Sequence, residues 1–293
     1  MAANLSFDNR VLTSTDGAST IYAQANGNPE NRTLIFIHGF ALSASVFNGL
    51  LSDDRLLKDF YLVAYDLRGY GRSSMPLVPE GHVSSLQAAD FEALLKEFKI
   101  TNPLVVAWSM GGAIVADIFA HLPAGTIAGV VYINAIPSMG PIALEAGSPD
   151  SAAFLADLLS LDNTTASTAA RATFVDACFS RPEDLSAEFK WSWMGMTLMQ
   201  PPAVAVLTVT REQDPSNLFK AAATGFPALY IVGSADKIML GELKVEPVLK
   251  ESFKNLEVHR IGGGSHAPFI DSKEEVVDQL VRFGRKIFDN VEE

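Results

Sequence analysis

Three polar residues follow predicted buried strands, and together they could activate a serine hydroxyl. Ser109 lies in the pentapeptide AWSMG, directly after the apolar residues 104–107, and Asp236 and His266 each follow a later apolar run. A serine hydroxyl is a weak nucleophile until a base removes its proton. A histidine can be that base when a carboxylate holds it in the correct tautomer. The chemistry that these residue types suggest is attack on a carbonyl carbon.

The segment around Ser109 predicts a sharp turn between a strand and a helix. Residues 104–107 are apolar and partly β-branched, as in a buried strand, and residues 112–122 have helical spacing that stops before Pro123. A serine at such a turn is a nucleophile elbow, whose outer positions must be small. Ala107 stands where glycine is usual. The simpler alternative is a serine that caps an ordinary helix.

Two loops could bring the other members of the site to Ser109. Glycines at 262–264 would let the loop after residues 256–261 bend back and carry His266 over the sheet. Asp236 lies in the loop after the preceding strand, and the chain order Ser, Asp, His is the one that this type of elbow favours. Taken alone, Asp236 could be a turn residue and His266 a structural histidine. Their joint placement at strand ends predicts a catalytic triad.

Two backbone amides are candidates for an oxyanion hole. The Met110 N–H lies at the start of a predicted helix, and the Phe40 N–H follows the strand that ends at His38 and Gly39. We interpret His38 as a residue that supports this loop rather than as a second base. The polar loop 66–73 has an equally structural interpretation, in which Asp66 pairs with Arg68 or Arg72.

The rest of the chain predicts the sheet that positions these loops. Amphipathic helices alternate with apolar strands, a pattern typical of a mostly parallel sheet with helices on both faces. The first two of eight strands are expected to be antiparallel. Residues 137–224 contain no clear buried strand and predict a helical cap, or lid, over the carboxyl edge of the sheet. The predicted core is therefore residues 1–136 and 225–293. The eight strands are expected at residues 6–13, 20–25, 33–37, 61–65, 104–107, 127–133, 228–232 and 256–261.

Residues 190–200 of the cap are rich in tryptophan and methionine, which fill irregular apolar space. Trp193 and Met194, with Trp108 beside the nucleophile, are the predicted substrate-binding residues. Apolar walls would suit a hydrophobic ester or lactone. The alternative, which we favour, is that these side chains form the core of the cap and pack against the sheet.

Composition excludes several functions. The 293 residues carry a net charge of −12, which disfavours nucleic acid and anionic membrane surfaces. No apolar run approaches the about 20 residues that span a bilayer. The first ten residues lack the features of a secretory signal, and Cys178 is the only cysteine, so a cytoplasmic location with a buried thiol is expected. No His or Cys spacing indicates a metal, and no cofactor is expected.

These motifs together resemble the α/β-hydrolase superfamily, and within it the branch of serine esterases, lactonases and cofactor-free haloperoxidases. The resemblance rests on the motifs HGF at 38–40, DLRGYGRS at 66–73, WSMGG at 108–112, GSAD at 233–236 and GSH at 264–266. It implies the α/β-hydrolase fold, with Ser109 as nucleophile, His266 as base, Asp236 as acid and the Phe40 and Met110 amides as oxyanion donors. Epoxide hydrolases and haloalkane dehalogenases of this superfamily use aspartate where this chain has Ser109.

The expected function is therefore hydrolysis of carboxylic esters, or of lactones, through an acyl-enzyme on Ser109. Perhydrolysis with haloperoxidase activity and acyl transfer are alternatives with the same three residues. A ligand receptor on a hydrolase scaffold is the alternative outside catalysis. The expected partner is a small hydrophobic molecule, and the sequence makes no prediction of oligomeric state.

Overall fold

The computed structural model describes residues 6–289, which form an eight-stranded sheet in the order β1-β2-β4-β3-β5-β6-β7-β8. Strand β2 pairs antiparallel with β1 and β4, and every pair from β4 to β8 is parallel. The predicted, mostly parallel eight-stranded sheet is thus confirmed. The strands are β1 (Asp8–Thr13), β2 (Thr20–Asn26), β3 (Arg32–Ile37), β4 (Phe60–Tyr65), β5 (Leu104–Trp108), β6 (Gly129–Ile133), β7 (Ala228–Gly233) and β8 (Leu256–Ile261).

Two short helices lie between β3 and β4, and one or more helices follow each of the strands from β4 to β8. The helices are α1 (Asn48–Leu51), α2 (Asp54–Asp59), α3 (Ser84–Phe98), α4 (Ala113–His121), α5 (Pro141–Glu145), α6 (Pro149–Leu158), α7 (Thr164–Ala177), α8 (Ala187–Met199), α9 (Pro202–Thr210), α10 (Ser216–Thr224), α11 (Glu246–Ser252), α12 (Pro268–Asp271) and α13 (Lys273–Asp289). None of them, within residues 6–289, is long and apolar enough to cross a membrane.

Two apolar layers cover the sheet because neighbouring side chains of a strand point to opposite faces. In β5, Val105 belongs to the layer that contains buried side chains of α3, α4, α10 and α11. The next residue, Val106, belongs to the layer on the other face, which contains buried side chains of α1, α2 and α13. Since both faces are covered, strands β4 to β7 are buried along their whole length, which explains their continuous apolar sequences.

Residues 137–224 contain helices α5 to α10, and the strands of the sheet all lie outside this segment. Helices α6, α7 and α8 contribute buried side chains to the layer that also holds Trp108. Helix α10 instead packs on α4 and α11, where it covers the sheet itself. The division of the chain into a core and a cap at 137 and 224 stays a prediction.

Polar contacts tie the end of the cap to the helix that follows Ser109. Both guanidinium nitrogens Nη1 and Nη2 of Arg211 donate to the fully buried carboxylate of Asp117 in α4, at 2.9 and 2.6 Å. Gln213 Nε2 donates to the same carboxylate at 2.7 Å. Charge-assisted bonds of this kind, shielded from water, fix the chain after α9 against α4.

Candidate active site

Ser109 sits on a strained turn between β5 and α4. Its φ is +55°, in the left-handed region that non-glycine residues rarely adopt, and a short 3₁₀ turn (Ser109–Gly112) leads into the helix. A Cβ on Gly111 would lie 2.5 Å from the His38 carbonyl oxygen, so this close approach requires glycine. Trp108 is buried while Ser109 is partly exposed. The turn therefore brings Ser109 out of the fully buried strand.

The structure brings Ser109, His266 and Asp236 into one hydrogen-bonded chain. Ser109 Oγ lies 2.9 Å from His266 Nε2, and His266 Nδ1 lies 2.8 Å from Asp236 Oδ2. The His266 and Asp236 side chains are only 1% and 2% exposed. An ionised carboxylate only accepts hydrogen bonds, so Nδ1–H donates to Asp236 and the unprotonated Nε2 accepts the serine hydroxyl proton. This is the arrangement in which an imidazole can act as a general base.

The loop after β7 holds the carboxylate of Asp236 in place. Its Oδ1 accepts the backbone N–H groups of Ile238 at 2.7 Å and Met239 at 2.9 Å. Because Oδ1 is occupied in this way, Oδ2 is the oxygen left to face His266. The Met239 side chain returns to the same site, with Sδ 4.0 Å from Ser109 Oγ. Met239 has no sequence signal for this position, because a methionine after a strand resembles any core residue.

The loop after β3 contacts Ser109 directly. A Cβ on Gly39 would lie 2.9 Å from Ser109 Cβ, so only glycine fits there. His38 Nε2 accepts the Leu67 N–H at 3.0 Å, which leaves Nδ1–H to donate to the Gly39 carbonyl at 2.7 Å. Burial lowers the pKa of His38, which favours this neutral form. His38 thus supports the loop that carries Phe40, while the roles of the Phe40 and Met110 amides stay predictions.

Asp66 ties the same loop to the end of β4. Its Oδ1 accepts the Ala44 N–H at 2.8 Å, and its Oδ2 accepts Arg72 Nε at 2.8 Å. Arg68 pairs elsewhere, with both of its Nε and Nη2 groups on the carboxylate of Asp90. Of the two partners that the sequence allowed for Asp66, the structure therefore selects Arg72.

The predicted substrate-binding residues lie in an aromatic cluster at the junction of cap and sheet. Trp108 is 1% exposed and Trp193 of α8 is 2% exposed, and their rings are 5.9 Å apart. Trp108 Nε1 also donates to the His266 carbonyl at 2.7 Å. Met194 is partly buried against the same cluster. These positions favour the packing alternative for Trp108 and Trp193, and a substrate contact for any of the three stays a prediction.

Other groups that could do chemistry are accounted for differently. The buried Cys178 has a thiol whose pKa is raised well above its usual range by burial and by the nearby charge of Asp236, so it stays a thiol. Within residues 6–289, no group of three His, Cys, Asp or Glu side chains could hold a metal ion.

Asn134, after β6, contacts the loop of His266, and the sequence did not indicate this contact.

Comparison with known proteins gives one family match and several likenesses. A model described as the alpha/beta hydrolase family matches residues 34–279. A non-heme chloroperoxidase from Streptomyces lividans is 30% identical over 43% of this chain, and this alignment spans 45% of that protein, less than half of its length.

Two solved structures are similar over nearly the whole chain. An esterase from Rhodococcus sp. ECU1013 has a TM-score of 0.82 at 24% identity, covering 94% of this chain and 98% of the esterase. A bromoperoxidase from Bacillus anthracis has a TM-score of 0.79 at 23% identity, covering 94% of this chain and 99% of the bromoperoxidase. At these identities the likeness concerns the fold.

Proposed function

Because the chain belongs to the alpha/beta hydrolase family and has its fold, as the resemblance in sequence predicted, we propose that it is a serine hydrolase of carboxylic esters. The observation that carries the proposal is the chain of two hydrogen bonds from Ser109 Oγ through His266 to Asp236, at 2.9 and 2.8 Å. Ser109 is the nucleophile, His266 the general base and acid, and Asp236 the carboxylate that orients the imidazole.

The reaction proceeds through an acyl-enzyme. Ser109 Oγ attacks the ester carbonyl carbon while its proton passes to His266 Nε2, and the negative charge collects on the carbonyl oxygen. The imidazolium, stabilised by Asp236, then gives the proton to the leaving alcohol oxygen as the carbon–oxygen bond breaks. A water molecule, deprotonated by the same Nε2, attacks the acyl carbon, and the proton returns to Ser109 as the acid product leaves.

The Phe40 and Met110 amides are the proposed donors to the oxyanion. Two features support this role: Gly39 lies against Ser109, and the Met110 N–H belongs to the turn that opens toward α4. An amide placed before the reaction needs no reorganisation as charge develops, and losing one such donor costs about 10²- to 10³-fold in rate.

We propose that the substrate carries a hydrophobic acyl group, because the apolar Met239 side chain lies beside Ser109 and Phe40 follows Gly39, which lies against Ser109. Met239 Sδ lies 4.0 Å from Ser109 Oγ, and the partly buried Phe40 packs with Tyr70 at 6.3 Å between ring centroids. Such walls exclude water and favour apolar substituents over charged ones. A hydrophobic lactone would present the same carbonyl and the same apolar surface.

Shortening Met239 to alanine is expected to shift the preference of the enzyme toward longer acyl chains. The space beside Ser109 would grow by most of a side chain, and each methylene that fits a pocket is worth about 10-fold or more in kcat/KM. The measurement is the ratio of kcat/KM for p-nitrophenyl octanoate to that for acetate. Met199→Ala, at a cap position 59% exposed, is the matched control and should keep the wild-type ratio. An unchanged ratio in Met239→Ala would place the acyl group elsewhere.

Perhydrolysis is a second candidate function, favoured by the likeness to proteins named chloroperoxidase and bromoperoxidase. Hydrogen peroxide would replace water as the group that attacks the acyl-enzyme, and the product would be a peracid. The same triad serves both reactions. A halogenation assay that depends on peroxide and on a carboxylic acid separates this activity from simple ester hydrolysis.

The direct test of the proposal is covalent labelling. A fluorophosphonate probe should modify Ser109, located by mass spectrometry of the labelled peptide, and hydrophobic chromogenic esters should compete with it. Labelling of another serine, or none at all alongside an inactive ester panel, would overturn the proposal. Stoichiometric ligand binding without turnover would instead support the receptor alternative.

A further inference from the structure

Asn134, the first residue after β6, is fully buried and connects the two loops that carry Asp236 and His266. Its Nδ2 donates to the carbonyl oxygens of Ser265 at 2.7 Å and His266 at 3.1 Å. Its Oδ1 accepts the backbone N–H of Gly233 at 2.9 Å. One side-chain amide thus uses both its donors and its acceptor on backbone groups of two different segments.

The backbone of Asn134 is held in an uncommon conformation. Its φ is +41°, in the left-handed region where asparagine is one of the few tolerated side chains. A residue kept in such a conformation at a strand end is held there by its surroundings. Here the surroundings are the three backbone partners of its amide group.

The contacts of Asn134 bear on the position of His266 because β6 lies beside both β5 and β7. Gly233 is the last residue of β7, and the loop that holds Asp236 begins immediately after it. The His266 carbonyl accepts from Asn134 and, at 2.7 Å, from Trp108 Nε1 in β5. The backbone of His266 is therefore held by Trp108 of β5 and by Asn134 at the end of β6. Asn134 also binds Gly233 at the end of β7, and so it links this backbone to the strand that precedes Asp236.

We propose that Asn134 is a positioning residue that holds His266 in line between Asp236 and Ser109. This inference rests on the proposed function, since it concerns the same three side chains. The amide does not face the reacting atoms. It holds the Ser265 and His266 carbonyls through its Nδ2, and through its Oδ1 it holds Gly233, after which the loop of Asp236 begins. A displacement of about 1 Å in a catalytic group can cost on the order of 10²-fold in rate.

The test is Asn134→Asp, which keeps the size of the side chain and tolerates the same backbone. A carboxyl group at this position has one donor when protonated and none when ionised, so at least one of the two hydrogen bonds to the Ser265 and His266 carbonyls is lost. We expect kcat for p-nitrophenyl butyrate to fall about 10- to 100-fold with KM changed less than about 3-fold. The low-field proton NMR signal of His266 Nδ1–H should weaken or broaden at the same time.

Asn102→Asp is the matched control, because Asn102 has a similar φ of +49° in the loop before β5, at the end of that strand away from Ser109. It should keep the wild-type kcat and NMR signal. Asn134→Gly, which removes the amide without straining the backbone, serves if the aspartate variant does not fold. Folded Asn134 variants with wild-type kcat and an unchanged signal would overturn the inference.

The NMR signal separates this inference from the proposed function. It reports the bond between His266 and Asp236 whether or not an ester is cleaved. If wild-type protein cleaves no ester and resists the fluorophosphonate, the proposed function fails. The response of the signal to Asn134→Asp still shows whether Asn134 positions the histidine.

Discussion

Replacing Ser109 with alanine is expected to lower kcat for p-nitrophenyl butyrate about 10⁴- to 10⁶-fold. The variant removes the only protein atom that the proposed reaction bonds to the acyl carbon, whereas the amide donors and His266 remain. Residual turnover would come from binding and the oxyanion donors alone. Because Ser109 is partly exposed and the substitution removes only its hydroxyl group, the melting temperature should stay close to that of the wild type.

Ser84→Ala is the control that shows whether the arrangement of serine, histidine and aspartate matters, and not only their presence side by side. Ser84 also lies beside a histidine and an aspartate, with Oγ 3.0 Å from His121 Nε2 and 2.6 Å from Asp117 Oδ1. Here the serine proton goes to the carboxylate, so the imidazole is not placed to remove it. We expect Ser84→Ala to keep wild-type kcat. A loss of activity equal to that of Ser109→Ala would contradict the assignment of the nucleophile.

The edge of the sheet at which Ser109, Asp236 and His266 meet could be predicted from the sequence because it depends only on the order of strands and loops. In a parallel sheet, every loop that follows a strand emerges at one edge. Once β5, β7 and β8 are recognised by their apolar runs, the polar residues after them must share that edge. The predicted hydrogen-bond partners are the ones that the structure brings together, although their catalytic roles remain our proposal.

Residues whose partners come from distant loops could not be predicted in this way. An asparagine after a short apolar strand, as at Asn134, has the same local signature as an ordinary turn residue. Its partners at Gly233, Ser265 and His266 are fixed only by the order of strands β6, β7 and β8 in the sheet. The choice of Arg72 rather than Arg68 for Asp66 likewise depends on Asp90, which lies in α3.

The cap illustrates a different limit. The helical spacing of residues 137–224 predicted helices there, and α8 is one of those that the structure shows. The same pattern fits packing and substrate binding equally well, because both need apolar surface. The contacts of Trp193 favour packing, because its ring lies 5.9 Å from that of Trp108, whose Nε1 donates to the His266 carbonyl. A substrate contact stays a prediction.

Replacing Asp236 with asparagine is expected to lower kcat about 10⁴-fold, the size of the loss when the equivalent carboxylate of serine proteases is replaced. Aspartate and asparagine have nearly the same shape, so the expected loss comes from the hydrogen bonds that fix the orientation of the side chain. The N–H groups of Ile238 and Met239 both point at Oδ1, at 2.7 and 2.9 Å. They would hold the amide oxygen of an asparagine at that position and so turn its NH₂ toward His266 Nδ1.

An NH₂ facing Nδ1 selects the wrong tautomer of His266. Nδ1 would then accept, and the imidazole proton would move to Nε2, which faces Ser109 Oγ at 2.9 Å. A protonated Nε2 cannot remove the serine proton, so the nucleophile stays inactive while substrate binding is kept. The expected signature is a fall in kcat at nearly constant KM, with loss of the low-field Nδ1–H signal.

Asp214→Asn is the matched control, since Asp214 is an exposed aspartate that also accepts a backbone N–H, that of Ser216 at 2.9 Å. Asp236→Asn with more than about one tenth of wild-type kcat would mean that another group orients the imidazole.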